Sequence, residues 1–189
     1  MKNLIFNTST KAKFFFCITI IFLGLTACSK DDGGGSDAST SKDYYFKASL
    51  DGRKIDFRVV KFQGGGNDNR FEQIVVGGYE TSFPTTSGAT LPPSLDFEIW
   101  NLGGNITAGT YTTPSELVMI ARYAIQTKNG TLLYNTSYSD DLFTVKIEKI
   151  SKEEGIKGIF SGTVRNFEGA PISVTDGSFN LPYDKLINP

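Results

Sequence analysis

The sequence predicts an all-β domain over residues 43–189, an antiparallel β-sandwich or barrel of about nine strands. Three observations carry this. Short runs alternate apolar and polar residues, the side-chain period of a strand with one buried face. Gly, Asn, Asp and Pro punctuate the runs at the spacing of hairpins. No segment carries the 3.6-residue period of an amphipathic helix.

The elements follow in order. Tyr45–Leu50 and Lys54–Val59 flank Asp51-Gly52-Arg53, and Asp-Gly between alternating runs marks a hairpin because Gly accepts positive φ. Gln63 to Asn69 reads as a loop. Phe71–Gly78 is the third strand, with Ile74, Val75 and Val76 expected to be buried on both faces. Residues 80–93 hold Pro84, Pro92 and Pro93 and read as a long loop. Leu95–Trp100 alternates cleanly. Leu117–Gln126 follows, and Asn129-Gly130 turns into Leu132–Tyr138. Phe143–Glu148 points Phe143, Val145 and Ile147 inward. Glu153 and Glu154 lie in a connection, and Ile156–Phe167 and Ile172–Leu181 close the fold. Gly158 and Gly162 inside a strand signal close backbone approach or a bulge. Asp176-Gly177 signals a turn or bulge.

Residues 1–27 have a different character. Lys2, Lys11 and Lys13 precede an apolar run from Phe14 to Leu25, with no acidic residue. A basic start, a short apolar core and small residues after it form an export signal. The run is shorter than the roughly 20 apolar residues that span a bilayer. Leu25-Thr26-Ala27-Cys28 resembles the lipobox of bacterial lipoproteins. That resemblance implies cleavage before Cys28, a diacylglyceryl group on its thiol and an acyl chain such as palmitate on the new amino terminus. Two or more chains hold a protein on a membrane where one does not. Residues 28–42 are then the lipidated cysteine and a Gly/Ser-rich flexible tether with no large apolar residue. Ser29-Lys30-Asp31-Asp32 resembles the acid-rich surface-export signal of lipoproteins in some Gram-negative bacteria. It implies a lipid anchor in the outer membrane with the domain on the cell surface; the alternative is a periplasm-facing anchor.

Composition narrows the chemistry. Past residue 27 the chain carries 16 basic and 20 acidic side chains, a net charge of −4, and no basic stripe for nucleic acid. The chain has no histidine, and its two cysteines are Cys17, in the export signal, and Cys28. A Ser-His-Asp or Cys-His hydrolase and a His- or thiolate-ligated metal site are therefore excluded within the chain. No cofactor motif is present: Gly64-Gly65-Gly66 lacks the Gly-Lys-Ser/Thr and helix of a phosphate loop. Asn67-Asp68-Asn69 and Asp140-Asp141 lack the spacing of a calcium loop, and turn chemistry accounts for both.

Further motifs are the Asp-Gly hairpin, Ile106-Thr107-Ala108-Gly109-Thr110-Tyr111, Ile156 to Gly162, and Val174 to Asn180. Over roughly Phe46 to Tyr183 these resemble a family of small all-β lipoproteins of unknown function. The resemblance implies a fold and no activity.

One strand offers a candidate binding face. Leu95, Phe97 and Ile99 share one side of it, and Asp96, Glu98 and Trp100 the other. A Trp beside carboxylates can stack on a sugar ring while the acids accept its hydroxyls. Alternatively Trp100 covers an edge of the core, with its N–H on solvent or a carbonyl. Carboxylates two residues apart on a strand lie about 7 Å from each other, within the range of an inverting glycosidase pair. Nothing in the sequence points to the raised acid pKa such catalysis needs. The expectation is a non-catalytic surface module that binds glycan. The alternatives are an adhesive or structural protein contacting another envelope protein and, below that, a carboxylate hydrolase.

Overall fold

The computed structural model describes residues 44–114 and 118–188. The export signal, Cys28 and the tether lie outside the described residues, as does Leu117, where the fifth strand was expected to start.

The domain is all-β and antiparallel. Its strands are β1 (Tyr45–Leu50), β2 (Arg53–Asp56), β3 (Val59–Gly65), β4 (Gln73–Tyr79), β5 (Ser94–Trp100) and β6 (Gly109–Thr113). They continue with β7 (Val118–Thr127), β8 (Gly130–Asn135), β9 (Phe143–Ser151), β10 (Gly155–Asn166), β11 (Pro171–Leu181) and β12 (Leu186–Ile187). A 3-10 turn over Thr136–Tyr138 takes the residues expected to end the strand before it. Twelve strands replace the nine expected because three of them, β3, β6 and β12, carry weak signals. The run Lys54–Val59 breaks at Phe57-Arg58, and Val59 and Val60 are both buried, so a new strand starts out of phase. Gly64 and Gly65, read as loop, pair with Ile74 and Gln73. β6 has no apolar alternation, and β12 is two residues long.

The strands form one sheet in the order β12-β3-β4-β5-β7-β8-β10-β11-β1-β2, with β9 and then β6 branching from β10. Long β10 makes the fork. Gly155 to Gly162 pair with β9, and Arg165 and Asn166 with β8, while β11 follows the other edge. The sheet does not close, since β12, β2 and β6 each pair on one side only. Its halves, β3-β4-β5-β7-β8 and β6-β9-β10-β11-β1-β2, fold face to face. Phe97 of β5 lies 5.7 Å from Phe160 of β10 and 5.4 Å from Phe179 of β11, ring to ring, though neither strand pairs with β5.

Inward residues follow the alternation. Ile74 and Val76, Leu95, Phe97 and Ile99, Phe143, Val145 and Ile147 are all buried. Val75, expected to be buried, is partly exposed because the outer face of β4 has no layer over it. Phe160 sits at the centre, with Phe46 at 5.1 Å, Phe97, Phe143 and Phe179 around it. Truncating a ring so placed costs about 3–5 kcal/mol in transfer and cavity terms. Gly158 and Gly162 do mark close approach and irregularity. A Cβ on Gly158 would lie 2.2 Å from the Lys146 carbonyl oxygen, and register shifts occur at both glycines.

Candidate functional site

β5 is flanked by β4 and β7, and its outer face carries Asp96, Glu98 and Trp100, as its alternation requires. The register decides what they meet. Asp96 stands between Gly77 and Arg122, Glu98 between Val75 and Ile120, and Trp100 between Gln73 and Val118. Residues directly opposite on a sheet bring their Cβ atoms to about 5 Å, so Arg122 is delivered to Asp96 by pairing alone.

Arg122 donates from Nε and Nη2 to Asp96 Oδ1 at 2.8 and 2.6 Å, and Nη2 lies 3.5 Å from Glu98 Oε1. The acids thus share one guanidinium, and Glu98 is 7% exposed. Gly77 makes room for this: a Cβ there would lie 2.5 Å from Asp96 Cβ. Burial pushes the Asp96 carboxyl up, Arg122 pulls it part of the way back, and the Glu98 charge adds to the rise. The sequence carries no sign of this rise. Its cause is the covered position of Asp96, which composition does not reveal. Burial likewise raises the nearby Tyr79 hydroxyl, helped by the Asp96 charge.

Trp100 is half-buried at the end of β5, beside Val118, which is 58% exposed. Beyond it the chain turns away, with the Asn101 amide donating to the Glu72 carbonyl at 2.8 Å. Trp100 and Glu98 thus share the outer face of β5, two residues apart, with Val118 and Ile120 opposite them on β7. Asp96 lies further along, four residues from Trp100.

A second cluster escaped sequence reading. Arg53 of β2 donates to both carboxylate oxygens of Glu80 at 2.8 Å, and Tyr123 of β7 donates to Glu80 Oε1 at 2.6 Å. Burial works to raise the Glu80 carboxyl, but the Arg53 and Tyr123 hydrogen bonds and the Arg53 charge outweigh it and hold it below its usual value. The same burial, together with the hydrogen bond to Glu80, raises the Tyr123 hydroxyl. Arg53 and Tyr123 come from strands, and Glu80 from the residue after β4, that meet only in the folded chain, so no local motif announces them.

The acidic turns serve the fold. Asp141 binds Arg165 and accepts from Ser139 Oγ at 2.9 Å, and its carboxyl is drawn down first by Arg165. The Asp68 carbonyl accepts from Lys152 Nζ, which joins the β3–β4 loop to the β9–β10 turn. Every buried side-chain nitrogen and oxygen among the described residues has a hydrogen-bond partner. No family model, curated protein or solved structure matches the chain.

Proposed function

We propose that this chain is a lipid-anchored, non-catalytic glycan-binding module of the outer membrane, exposed at the cell surface. The observation that carries the ligand class is Trp100, half-buried on the outer face of β5 two residues from Glu98, whose carboxylate pairs with Arg122. A flat aromatic face covers the C–H side of a pyranose, and planar charged groups beside it hydrogen-bond adjacent hydroxyls. The location is supported by Leu25-Thr26-Ala27-Cys28 and the acid-rich start of the tether. Against hydrolysis stands the guanidinium of Arg122, which pairs with both acids and offsets their charge.

The test uses the mature chain with Cys28→Ser, which stays in solution. Trp100 is its single tryptophan, so emission reports on that face alone. A saturable shift with one member of a panel of bacterial and host polysaccharides supports the reading, provided Trp100→Ala loses affinity for that same polysaccharide in calorimetry. Silence across the panel in both methods overturns it.

One observation favours protein contact as a second reading. Phe167, on the β10–β11 turn, is 87% exposed and packs edge-on against Tyr138 at 6.1 Å. Loss of chemical cross-links to envelope proteins in Phe167→Ser would support it.

A further inference from the structure

The outer face of the β6-β9-β10-β11-β1 half carries a shallow groove of about 510 Å³, lined by Ile159, Phe160 and Gly177 as well as by Thr110, Thr144, Lys146, Ser161, Asp176 and Ser178. Register places Thr110, Lys146, Ile159, Ser178 and Lys47 side by side in a row across five strands. Neighbours in such a row are about 4.8 Å apart. Thr144 and Ser161 form the start of the next row.

Two features of this face bear on a ligand. The first is the bulge in β11. Ser161 faces both Thr175 and Asp176, and across the other edge Ala48 faces Asp176 and Gly177. The extra residue is accommodated by Asp176 at φ 52°, a left-handed conformation that costs a non-glycine residue about 1 kcal/mol. Bulges re-aim side chains, and this one turns a carboxylate into the groove. The second is unspent bonding capacity. Among the described residues Thr110, Thr144, Lys146, Ser161 and Ser178 make no side-chain hydrogen bond or ion pair, and Asp176 has only a 3.4 Å contact from Thr175 Oγ1. On the β5 face, by contrast, the charged groups are spent on one another. In the middle of these polar groups Ile159 is 48% exposed.

We propose that this groove is a second binding site, for an extended β-1,4-linked hexose chain laid across the strands. Hydroxyls in rows, the Asp176 carboxylate, the Lys146 and Lys47 ammonium groups and the exposed Ile159 side chain suit a ligand with hydroxyls on its edges and C–H groups on its faces. An equatorially 1,4-linked pyranose chain is a ribbon that advances by about one interstrand spacing per unit, so successive sugars meet successive strands. A coiling α-1,4 chain has no such match. The site shares only its ligand class with the Trp100 face.

The experiment is calorimetric titration of the mature Cys28→Ser chain with cellohexaose and chitohexaose, with maltohexaose as the coiling control. Saturable binding of an extended hexamer, weaker binding of maltohexaose, and about a tenfold loss in Lys146→Gln/Asp176→Asn and in Ile159→Asp are expected. Trp100→Ala is expected to bind unchanged. These are exposed positions, and Asn tolerates the left-handed conformation, so unaltered melting of the variants is the control. Binding lost in Trp100→Ala but kept in the groove variants overturns the groove and leaves the proposed function standing. Binding of neither extended hexamer also overturns the groove. The proposed function itself falls only if the polysaccharide panel is silent as well.

Discussion

Arg53 and Glu80 meet through two parallel hydrogen bonds of 2.8 Å, joining the edge strand β2 of one half-sheet to the end of β4 in the other. A bidentate pair of this kind fixes orientation as well as distance. Tyr123, buried beneath it, donates to the same carboxylate and completes a clamp at this end of the domain.

The clamp sets a pH dependence. Glu80 is held below its ordinary value of 4.5, so its stabilising contribution is present above that value and is lost as pH falls through the folded-state value. Glu80→Gln should lower stability by about 1 kcal/mol at neutral pH, because the pair is partly exposed. It should also flatten the fall in melting temperature below pH 4.5. Parallel melting curves for the two proteins through the acid range would refute the assignment.

Arg122→Ala tests the cluster on the outer face. Asp96 and Glu98 would be left as neighbouring covered carboxylates without a counter-charge. A loss of about 2 kcal/mol at neutral pH is expected, less than for a fully buried pair because the Asp96 and Arg122 side chains keep 22% and 23% exposure. Asp96 already has a raised pKa, so its protonation favours the folded state, and acid should restore part of the loss. Arg122→Ala/Asp96→Asn should need no such restoration. Chemical denaturation at several pH values distinguishes the two.

Two glycines separate steric from conformational cost. At Gly158 a Cβ would strike the Lys146 carbonyl at 2.2 Å, and the clash cannot be relieved by a side chain moving. At Gly169, on the β10–β11 turn, φ is +88° and the space around is open. Gly158→Ala should cost about 3 kcal/mol and Gly169→Ala about 1 kcal/mol. Equal losses in urea melts would mean that the packing of β9 on β10 is looser than described.

Cys28 can be tested without reference to the fold. Cys28→Ser should abolish labelling by palmitate and move the protein from the membrane fraction to the soluble one. With wild-type protein, protease added to intact cells should remove the domain if it faces outward, and spare it if it faces the periplasm.

Sequence period resolved most of the fold. β5 and β9 alternate so regularly that the residues sharing their inner faces, Phe97 and Val145 among them, follow from the sequence. β6 was illegible because Gly109-Thr110-Tyr111-Thr112-Thr113 offers the core little apolar surface and is held by β9. The outer face of β5 was legible in the same way: Asp96, Glu98 and Trp100 do share it. What they touch was not. Arg122 reaches Asp96 because β5 pairs with β7 in one register, and register is a property of two strands at once. Arg53, Glu80 and Tyr123 needed three strands and both halves of the sheet.

The pairing of β1 with β11 sets when this chain can fold. Leu50 lies opposite Val174, and Phe46 opposite Phe179, so the first strand of the domain is completed by nearly the last. A chain emerging from its amino end, from a ribosome or through a translocation pore, has no partner for that edge until some 130 residues have followed it. Until then β1 and β2 are a lone two-stranded hairpin, marginal in water. Completion of the β1 edge is therefore delayed by connectivity alone.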